Sequence, residues 1–128
     1  TGAAGGQLGN KGGLVIGLTY GRTRICFVST HLAAHMNKLF DRNDDFWEVL
    51  RETRGRIGPA ERADVAHSFD HVFWMGDLNY RVDLSKNSAK HTDTASDVAA
   101  ISHLIDSKDY KTLLDADQLR LCQQEGTA

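Results

Sequence analysis

The sequence has 128 residues, of which 41% are hydrophobic and 25% are charged, and its formal net charge is −2. This length fits one domain or part of one, and the composition is that of an ordinary globular chain. The acidic balance argues against general binding of nucleic acid through a basic surface. No apolar run approaches the ~20 residues that a membrane-spanning helix needs.

The predicted elements begin with a hairpin. The first dozen residues are rich in glycine and predict a loop, whereas residues 14–20 and 24–30 predict two strands joined by a short turn. Because the connection is so short, the two strands should pair antiparallel. Cys26 lies inside the second strand, which favours a buried free thiol over a disulfide.

A helix and a third strand follow. Apolar residues recur at near-helical spacing between residues 37 and 56, and Pro59 follows the end of this pattern. The apolar run at residues 71–75 predicts a buried strand. Strands and helices in this order indicate a mixed α/β architecture.

The C-terminal third predicts a loop and helices. Residues 85–96 are polar and predict an exposed loop, and Asp97 is placed to cap a helix with apolar residues at helical spacing. Leucines across residues 113–121 predict a further helical stretch.

Polar side chains come directly after the third strand. Asp77 and Asn79 follow Gly76 and are two positions apart, so in an extended segment they point the same way. The rim of an open α/β sheet is where such proteins usually hold ligands, and there a carboxylate and an amide oxygen suit a divalent cation and a phosphate. The alternative is an ordinary Asp/Asn turn after a strand.

A glycine-rich segment near the N-terminus suits a phosphate. In residues 9–13, glycines let backbone N–H groups come close to an anion, and Lys11 adds a positive charge beside Asn10. The segment is not a Walker A loop, because no Gly-Lys-Ser/Thr follows at the required spacing. A plain flexible loop before a strand is the alternative.

Two histidines follow the second strand. A histidine at a strand end can donate to a phosphate oxygen or a leaving group, which makes His31 the catalytic candidate. The spacing of four between His31 and His35 resembles a zinc pair, but no acid stands in a zincin-type frame. We therefore expect His35 to be a surface or supporting residue.

These residues together suit metal-assisted hydrolysis of a phosphoester. The reaction needs oxygen ligands for a hard cation such as Mg²⁺, a positioned water, and donors to the phosphoryl oxygens. Asp77 and Asn79 suit the first two roles. The donor role suits the remaining candidates, Asn10, Lys11, His31 and Arg81. A Mg²⁺ site usually needs more than one carboxylate. The spacing of the acids at positions 41–48 predicts a solvated face of a helix, and we do not assign them to the metal.

With these motifs in order, the chain resembles the catalytic domain of the inositol polyphosphate 5-phosphatases, in the endonuclease/exonuclease/phosphatase superfamily. Residues 73–81 are similar to the signature aromatic-Trp-x-Gly-Asp-x-Asn-aromatic-Arg, and residues 113–119 to the element Leu-Leu-x-x-Asp-Gln-Leu. Residues 9–13 and 29–35 are similar to the two upstream motifs of the family. The resemblance extends over nearly the whole chain.

The resemblance implies a two-sheet α/β sandwich of the DNase-like type and Mg²⁺-dependent removal of the 5-phosphate from phosphoinositides or soluble inositol polyphosphates. It implies a cytoplasmic protein that can work at the cytosolic face of membranes, with no nucleic-acid partner. The oligomeric state stays open.

Site roles follow from the same resemblance. Asp77 and Asn79 would orient the attacking water and the scissile phosphate, which His31 would contact. Asn10 would lie beside the metal and the phosphate, so that Asn10 and Asp77 are the implied metal ligands, and Lys11 would bind phosphate. Arg81 would buttress the signature loop or its ligand. Asp117 falls in an element to which we assign a structural role.

Departures from the family pattern suggest a partial catalytic domain across residues 1–128, incomplete at both ends. The metal-binding glutamate of the family lies upstream of the glycine-rich loop, and the second signature, Pro-x-Trp-Cys-Asp-Arg, lies downstream; neither is in this chain. We therefore expect the fragment itself to be inactive.

Two alternatives stay open. A phosphodiesterase of the same superfamily, nuclease-like or sphingomyelinase-like, shares Gly-Asp-x-Asn and the strand-end histidine. The Asn-Tyr-Arg continuation and the His-Leu-Ala-Ala-His string favour the 5-phosphatase, and the acidic balance weakens the nuclease interpretation. A catalytically dead lipid-binding or scaffold module is the other alternative, and the intact Asp77, Asn79 and His31 argue against it.

Overall fold

The fold is that of a computed structural model, which describes residues 11–58, 63–85 and 94–128. The strands of this part of the chain are β1 (Gly12–Tyr20), β2 (Thr23–His31) and β3 (His71–Asp77). Its α-helices are α1 (Leu39–Thr53), α2 (Val65–Ser68), α3 (Ala95–Asp106), α4 (Tyr110–Asp115) and α5 (Gln118–Glu125), with a 3₁₀ turn at Met36–Lys38 before α1. The α/β class predicted from the sequence is confirmed.

The chain divides into two compact units. The first unit comprises Thr1–Leu32 and Asp45–Leu78, and it holds the strands, α2 and most of α1. The second unit comprises Ala33–Asp44 and Asn79–Ala128, with the start of α1 and helices α3, α4 and α5.

The first unit is built on a three-stranded sheet in the order β1-β2-β3. β1 and β2 pair antiparallel, which confirms the predicted hairpin, although Gly12 and Gly13 belong to β1 and not to a loop. β2 and β3 pair parallel, because the chain between them crosses over through α1 and α2. In this register His31 stands beside Asp77, the last residue of β3.

One face of the sheet forms a core with the helices of the same unit. Its fully buried members are Cys26, Val28, Leu50 and Val65, and half-buried side chains such as Phe46 and Trp74 pack around them. The predicted buried free thiol at Cys26 is confirmed. Its burial raises the pKa of this thiol, because the thiolate loses its hydration.

The prediction that the apolar run of β3 is buried is wrong for Phe73 and Met75. Val72 and Trp74 face the core, whereas Phe73 and Met75 are 51% and 44% exposed. Side chains alternate across a strand, and the described residues cover one face of this sheet, so the apolar run is buried on one side alone. The stacked rings of Phe27 and Phe73, 5.3 Å apart, lie on the open face.

The second unit corrects two details of the sequence interpretation. Thr94, not Asp97, is the N-cap of α3, and Asp97 stands at the third helical position, where it completes a capping box with Thr94. The predicted helical stretch at 113–121 is two helices, because Asp117 caps a new one. Most of the predicted loop at 85–96 lies outside the described residues, as does Pro59. Where the structure describes the chain, no helix is long and apolar enough to cross a membrane.

Candidate functional site

Parallel pairing brings the ends of β2 and β3 together in the first unit. His31 and Asp77 are register partners, and His31 Nε2 lies 3.6 Å from Asp77 Oδ2. The backbone N–H of Leu32 donates to the carbonyl oxygen of Asp77 at 3.0 Å, so the pairing continues one residue past β2. The predicted neighbourhood of His31 and Asp77 therefore follows directly from strand register.

Lys11 reaches the same place from β1. Because β1 is antiparallel to β2, its start lies beside the end of β2, with Gly12 opposite His31. Lys11 Nζ lies 2.7 Å from His31 Nε2. An ammonium can only donate, so Nε2 is the acceptor in this contact. Lys11, His31 and Asp77 thus form one cluster, which we call the strand-end cluster.

A partly buried hydrogen bond joins the two strands just before this cluster. Trp74 Nε1 donates to Thr30 Oγ1 at 3.0 Å, and Thr30 is only 3% exposed. The donor stands on β3 and the acceptor on β2, one residue before His31. The orientation of the cluster is therefore supported by a side-chain contact as well as by the ladder of backbone hydrogen bonds.

An open cavity of about 490 Å³ lies beside Lys11 and His31. Its opposite wall is formed by α1, with Asp45, Glu48 and Glu52 among the lining residues. The sequence interpretation placed the first two of these acids on a solvated helix face and assigned them no metal. Among the residues that the structure describes, no three His, Cys, Asp or Glu side chains come together closely enough to hold a metal ion.

Asn79 and Arg81 belong to the second unit. β3 ends at Asp77, and Asn79 has a φ of 57° in the left-handed region, so the segment is not extended and the alternation argument for Asp77 and Asn79 does not apply. Arg81 Nε donates to the carbonyl oxygen of Asn79 at 3.3 Å, and Arg81 Nη2 reaches Asn79 Oδ1 at 3.5 Å. The guanidinium of Arg81 thus stabilises the conformation of the segment Asn79–Arg81.

Two residues of this unit were missed by sequence reasoning. Gln118 Oε1 accepts from the backbone N–H of Arg81 at 3.0 Å and from Arg42 Nη2 at 2.7 Å. Gln118 stands in the Leu-Leu-x-x-Asp-Gln-Leu element, which is the signal that points to it. Arg42 offered no signal, because acidic neighbours on α1 made it look like part of a solvated face, whereas it is fully buried.

The predicted site residues therefore divide between the units. Lys11, His31 and Asp77 meet in the first unit, and Asn79 contacts Arg81 in the second. Asn10 lies outside the described residues. His35 is exposed, in agreement with its predicted surface position, and its backbone carbonyl accepts from Arg42 Nη1 at 2.6 Å.

Known proteins are similar to this chain along nearly its whole length. The chain is 36% identical over 127 residues to type I inositol polyphosphate 5-phosphatase 4 of Arabidopsis thaliana, covering 94% of this chain and 21% of that protein. It is 35% identical over 115 residues to human synaptojanin-1, covering 90% of this chain and 6% of that protein. The chain thus spans about a fifth, or less, of the length of these relatives.

A solved structure with a similar fold is the inositol polyphosphate 5-phosphatase domain of SPsynaptojanin, in complex with inositol (1,4)-bisphosphate and a calcium ion. The TM-score is 0.67 at 27% identity, over 94% of this chain and 31% of that chain. This match supports the predicted DNase-like type of α/β fold. The model of the family described as Endonuclease/Exonuclease/phosphatase family 2 matches residues 1–128. This chain therefore belongs to the Endonuclease/Exonuclease/phosphatase family 2.

Proposed function

We propose that the protein containing this chain removes the 5-phosphate from phosphoinositides or soluble inositol polyphosphates in a Mg²⁺-dependent reaction. The observation that carries the proposal is the strand-end cluster, in which Lys11, His31 and Asp77 stand within contact distance. Relatives at 36% identity are named inositol polyphosphate 5-phosphatases, and the similar solved domain holds an inositol bisphosphate.

The strand-end cluster supplies opposite charges around one imidazole. An incoming phosphate oxygen would accept a hydrogen bond from the ammonium of Lys11 and lie beside the ring of His31. The carboxylate of Asp77, whose Oδ2 lies 3.6 Å from His31 Nε2, can accept a hydrogen bond from the attacking water. Water adds its oxygen to phosphorus and releases a proton to solvent, the bond from phosphorus to the inositol oxygen breaks, and that leaving oxygen takes a proton from solvent, which gives inorganic phosphate and an inositol hydroxyl.

We assign the remaining roles to Asn79, Arg81 and Asn10. Asn79 would orient the scissile phosphate through its side-chain amide. Arg81 would buttress the segment that carries Asn79, as its hydrogen bonds to Asn79 indicate. Asn10 would contact the metal and the phosphate.

One residue of the strand-end cluster has the chemistry of a ligand for a divalent cation. Asp77 presents an exposed carboxylate at the end of β3, and hard cations such as Mg²⁺ prefer oxygen ligands. Asp77 and Asn10 would hold the ion together with a carboxylate from outside the chain. When bound, the cation would neutralise charge on the phosphoryl oxygens.

The proposed setting is the cytoplasm, at the cytosolic face of membranes when the substrate is a lipid. Both substrate sources present the same group, an inositol ring with a 5-phosphate. Vesicles containing a phosphoinositide and a soluble inositol polyphosphate, assayed side by side, separate the lipid source from the soluble one.

The test is the Asp77→Asn variant of the full-length protein, assayed for phosphate release with Mg²⁺ and with EDTA. We expect the wild type to need Mg²⁺ and the variant to be inactive, because the substitution removes the charge while it keeps the shape. Asp106→Asn, at an exposed position on α3, is the matched control and should keep full activity. Undiminished turnover by Asp77→Asn would remove Asp77 from catalysis, and cleavage of DNA or sphingomyelin in place of the inositol substrate would favour the phosphodiesterase alternative.

The predicted inactivity of residues 1–128 alone has its own assay. We expect no Mg²⁺-dependent phosphate release from this chain by itself, because the family motifs that supply further ligands are not in it. Measurable turnover by the isolated chain would show that its own residues suffice.

A further inference from the structure

We propose that Arg42 and Gln118 are positioning residues that hold Asn79–Arg81, the signature segment, in its reactive conformation. This role rests on the phosphatase function proposed above, because in that function Asn79 orients the scissile phosphate. Gln118 acts through the backbone of Arg81, and Arg42 acts through Gln118 and the ring of Tyr80.

Gln118 forms hydrogen bonds with both the N–H and the carbonyl group of the Arg81 backbone. Its side-chain Oε1 accepts from the Arg81 N–H at 3.0 Å, and its own backbone N–H donates to the Arg81 carbonyl at 3.0 Å. The neighbouring residues continue the pairing, because Asp83 N donates to Ala116 O at 2.9 Å and Val82 forms an isolated antiparallel bridge with Asp117. The segment that begins at Asn79 is therefore attached to the start of α5 along several residues.

Arg42, on α1, stabilises this attachment. Its Nη2 donates to Gln118 Oε1 at 2.7 Å, which fixes the rotamer in which Gln118 can also accept from Arg81. The guanidinium carbon lies 5.4 Å from the centroid of the Tyr80 ring. The hydroxyl of Tyr80 in turn donates to Asn43 Oδ1 at 2.7 Å, so two consecutive residues of α1 contact the side chain of Tyr80.

The surroundings of Arg42 show what the buried cation does. It is fully buried, and its other hydrogen bonds go to the backbone carbonyl oxygens of Ala33, His35 and Met36. Burial lowers the pKa of this guanidinium, and the carbonyl dipoles offset part of the cost of holding the charge there. The planar guanidinium of Arg42 donates both to carbonyl oxygens of the turn after β2 and to Gln118. It thereby connects this turn to the signature segment.

Without these contacts, the backbone at Asn79 could leave a conformation that is not its most stable one. Asn79 has a φ of 57°, a left-handed conformation that asparagine tolerates but does not prefer. Without the acceptor on Gln118, the Arg81 N–H loses its partner and the segment can relax away from this conformation. A displacement of about 1 Å in a reacting group can cost on the order of a hundredfold in rate.

The first experiment does not depend on activity. Amide hydrogen exchange at Arg81 in the full-length protein should accelerate at least about tenfold in Gln118→Met, which keeps the side-chain length but removes the acceptor. Gln118→Glu keeps an oxygen acceptor for both donors and should retain the protection. Unchanged exchange at Arg81 in Gln118→Met would overturn the proposal.

The second experiment measures kcat and KM for phosphate release from a soluble inositol polyphosphate. We expect Gln118→Met and Arg42→Lys to lower kcat roughly ten- to a hundredfold with a smaller change in KM, and Gln118→Glu to stay within a few-fold of the wild type. Leu50→Ala, in the core of the first unit, is a destabilised control that should keep kcat per folded molecule. Losses in Gln118→Met no larger than in Leu50→Ala would overturn the proposal.

The two experiments separate the two proposals. A wild-type protein that releases no phosphate contradicts the proposed function, and hydrogen exchange then still decides whether Gln118 holds the signature segment. An active wild type with an equally active Gln118→Met contradicts the positioning role alone.

Discussion

A Cβ atom on Gly76 would lie 2.1 Å from the backbone carbonyl oxygen of Thr30 and 2.8 Å from its nitrogen. These two residues are partners in the parallel pairing of β2 and β3, one position before His31 and Asp77. Gly76 also has a φ of 123°, which side-chain-bearing residues rarely adopt. The glycine of the Gly-Asp-x-Asn motif is therefore required by the backbone that places the strand-end cluster.

The first prediction is that Gly76→Ala destabilises the protein by more than about 3 kcal/mol, since strain and a clash with fixed backbone act together. Urea unfolding measures the loss. Gly12→Ala is the control for an added methyl group, because nothing lies within 4 Å of its Cβ. Gly21→Ala isolates the backbone strain, because Gly21 has a φ of 60° and equally open surroundings. A Gly76→Ala protein as stable as the Gly21→Ala protein would contradict the close approach to Thr30.

The second prediction concerns the hydrogen bond from Trp74 to Thr30. Thr30→Val keeps the shape but leaves the indole N–H without its acceptor, which should cost about 1–2 kcal/mol of unfolding free energy. In the Trp74→Phe background the same substitution should cost close to nothing, because there is no N–H to leave unpaired. Denaturant unfolding of the four proteins in this double-mutant cycle gives the coupling energy. Equal costs in both backgrounds would show that the bond does not contribute.

Sequence patterns predicted the parts of the fold that depend on local periodicity. The hairpin followed from two alternating strands and a short turn, and the helix after His35 from apolar residues at helical spacing. The grouping of His31 and Asp77 in one site followed from the family resemblance. These features are local in the chain, or they follow from the rule that ligands meet at strand ends.

Long-range burial was not predictable in the same way. Arg42 is buried where Gln118, 76 positions later in the chain, accepts a hydrogen bond from its guanidinium, and no spacing rule connects the two residues. The half-exposed face of β3 was missed because an apolar run does not show how many layers cover it. The alternation of side chains along a strand does not apply to Asn79, because its backbone is left-handed after β3 ends.

The third prediction is a pH dependence carried by Asp70. Hydrogen bonds from Arg24 hold the pKa of this carboxyl at about 2 in the folded protein, below the ~3.9 of an unfolded chain. A depressed folded-state pKa contributes stability that is present above pH ~4 and is lost as the pH falls towards 2. Asp70→Asn should therefore be less stable than the wild type at neutral pH, and the difference should shrink through this range.

Urea midpoints measured between pH 2 and pH 7 follow this difference. Arg24→Gln is the matched variant, because it removes the other member of the same ion pair, whose closest atoms are 2.9 Å apart. It should lose the same pH-dependent part of the stability. A deficit of Asp70→Asn that persists unchanged at pH 2 would show that the carboxylate charge is not its source.

The fourth prediction tests Lys11 in the strand-end cluster of the full-length protein. Lys11→Met keeps the length of the side chain but removes the ammonium that lies 2.7 Å from His31 Nε2. A charge-assisted hydrogen bond to a phosphate is worth about 1.5–3 kcal/mol, so kcat/KM for phosphate release should fall roughly ten- to a hundredfold. Lys111→Met is the matched control, because Lys111 is exposed and pairs with Asp115 on α4, and its loss should leave kcat/KM unchanged. Equal kcat/KM values for Lys11→Met and Lys111→Met would mean that Lys11 orients His31 at most and does not bind the substrate phosphate.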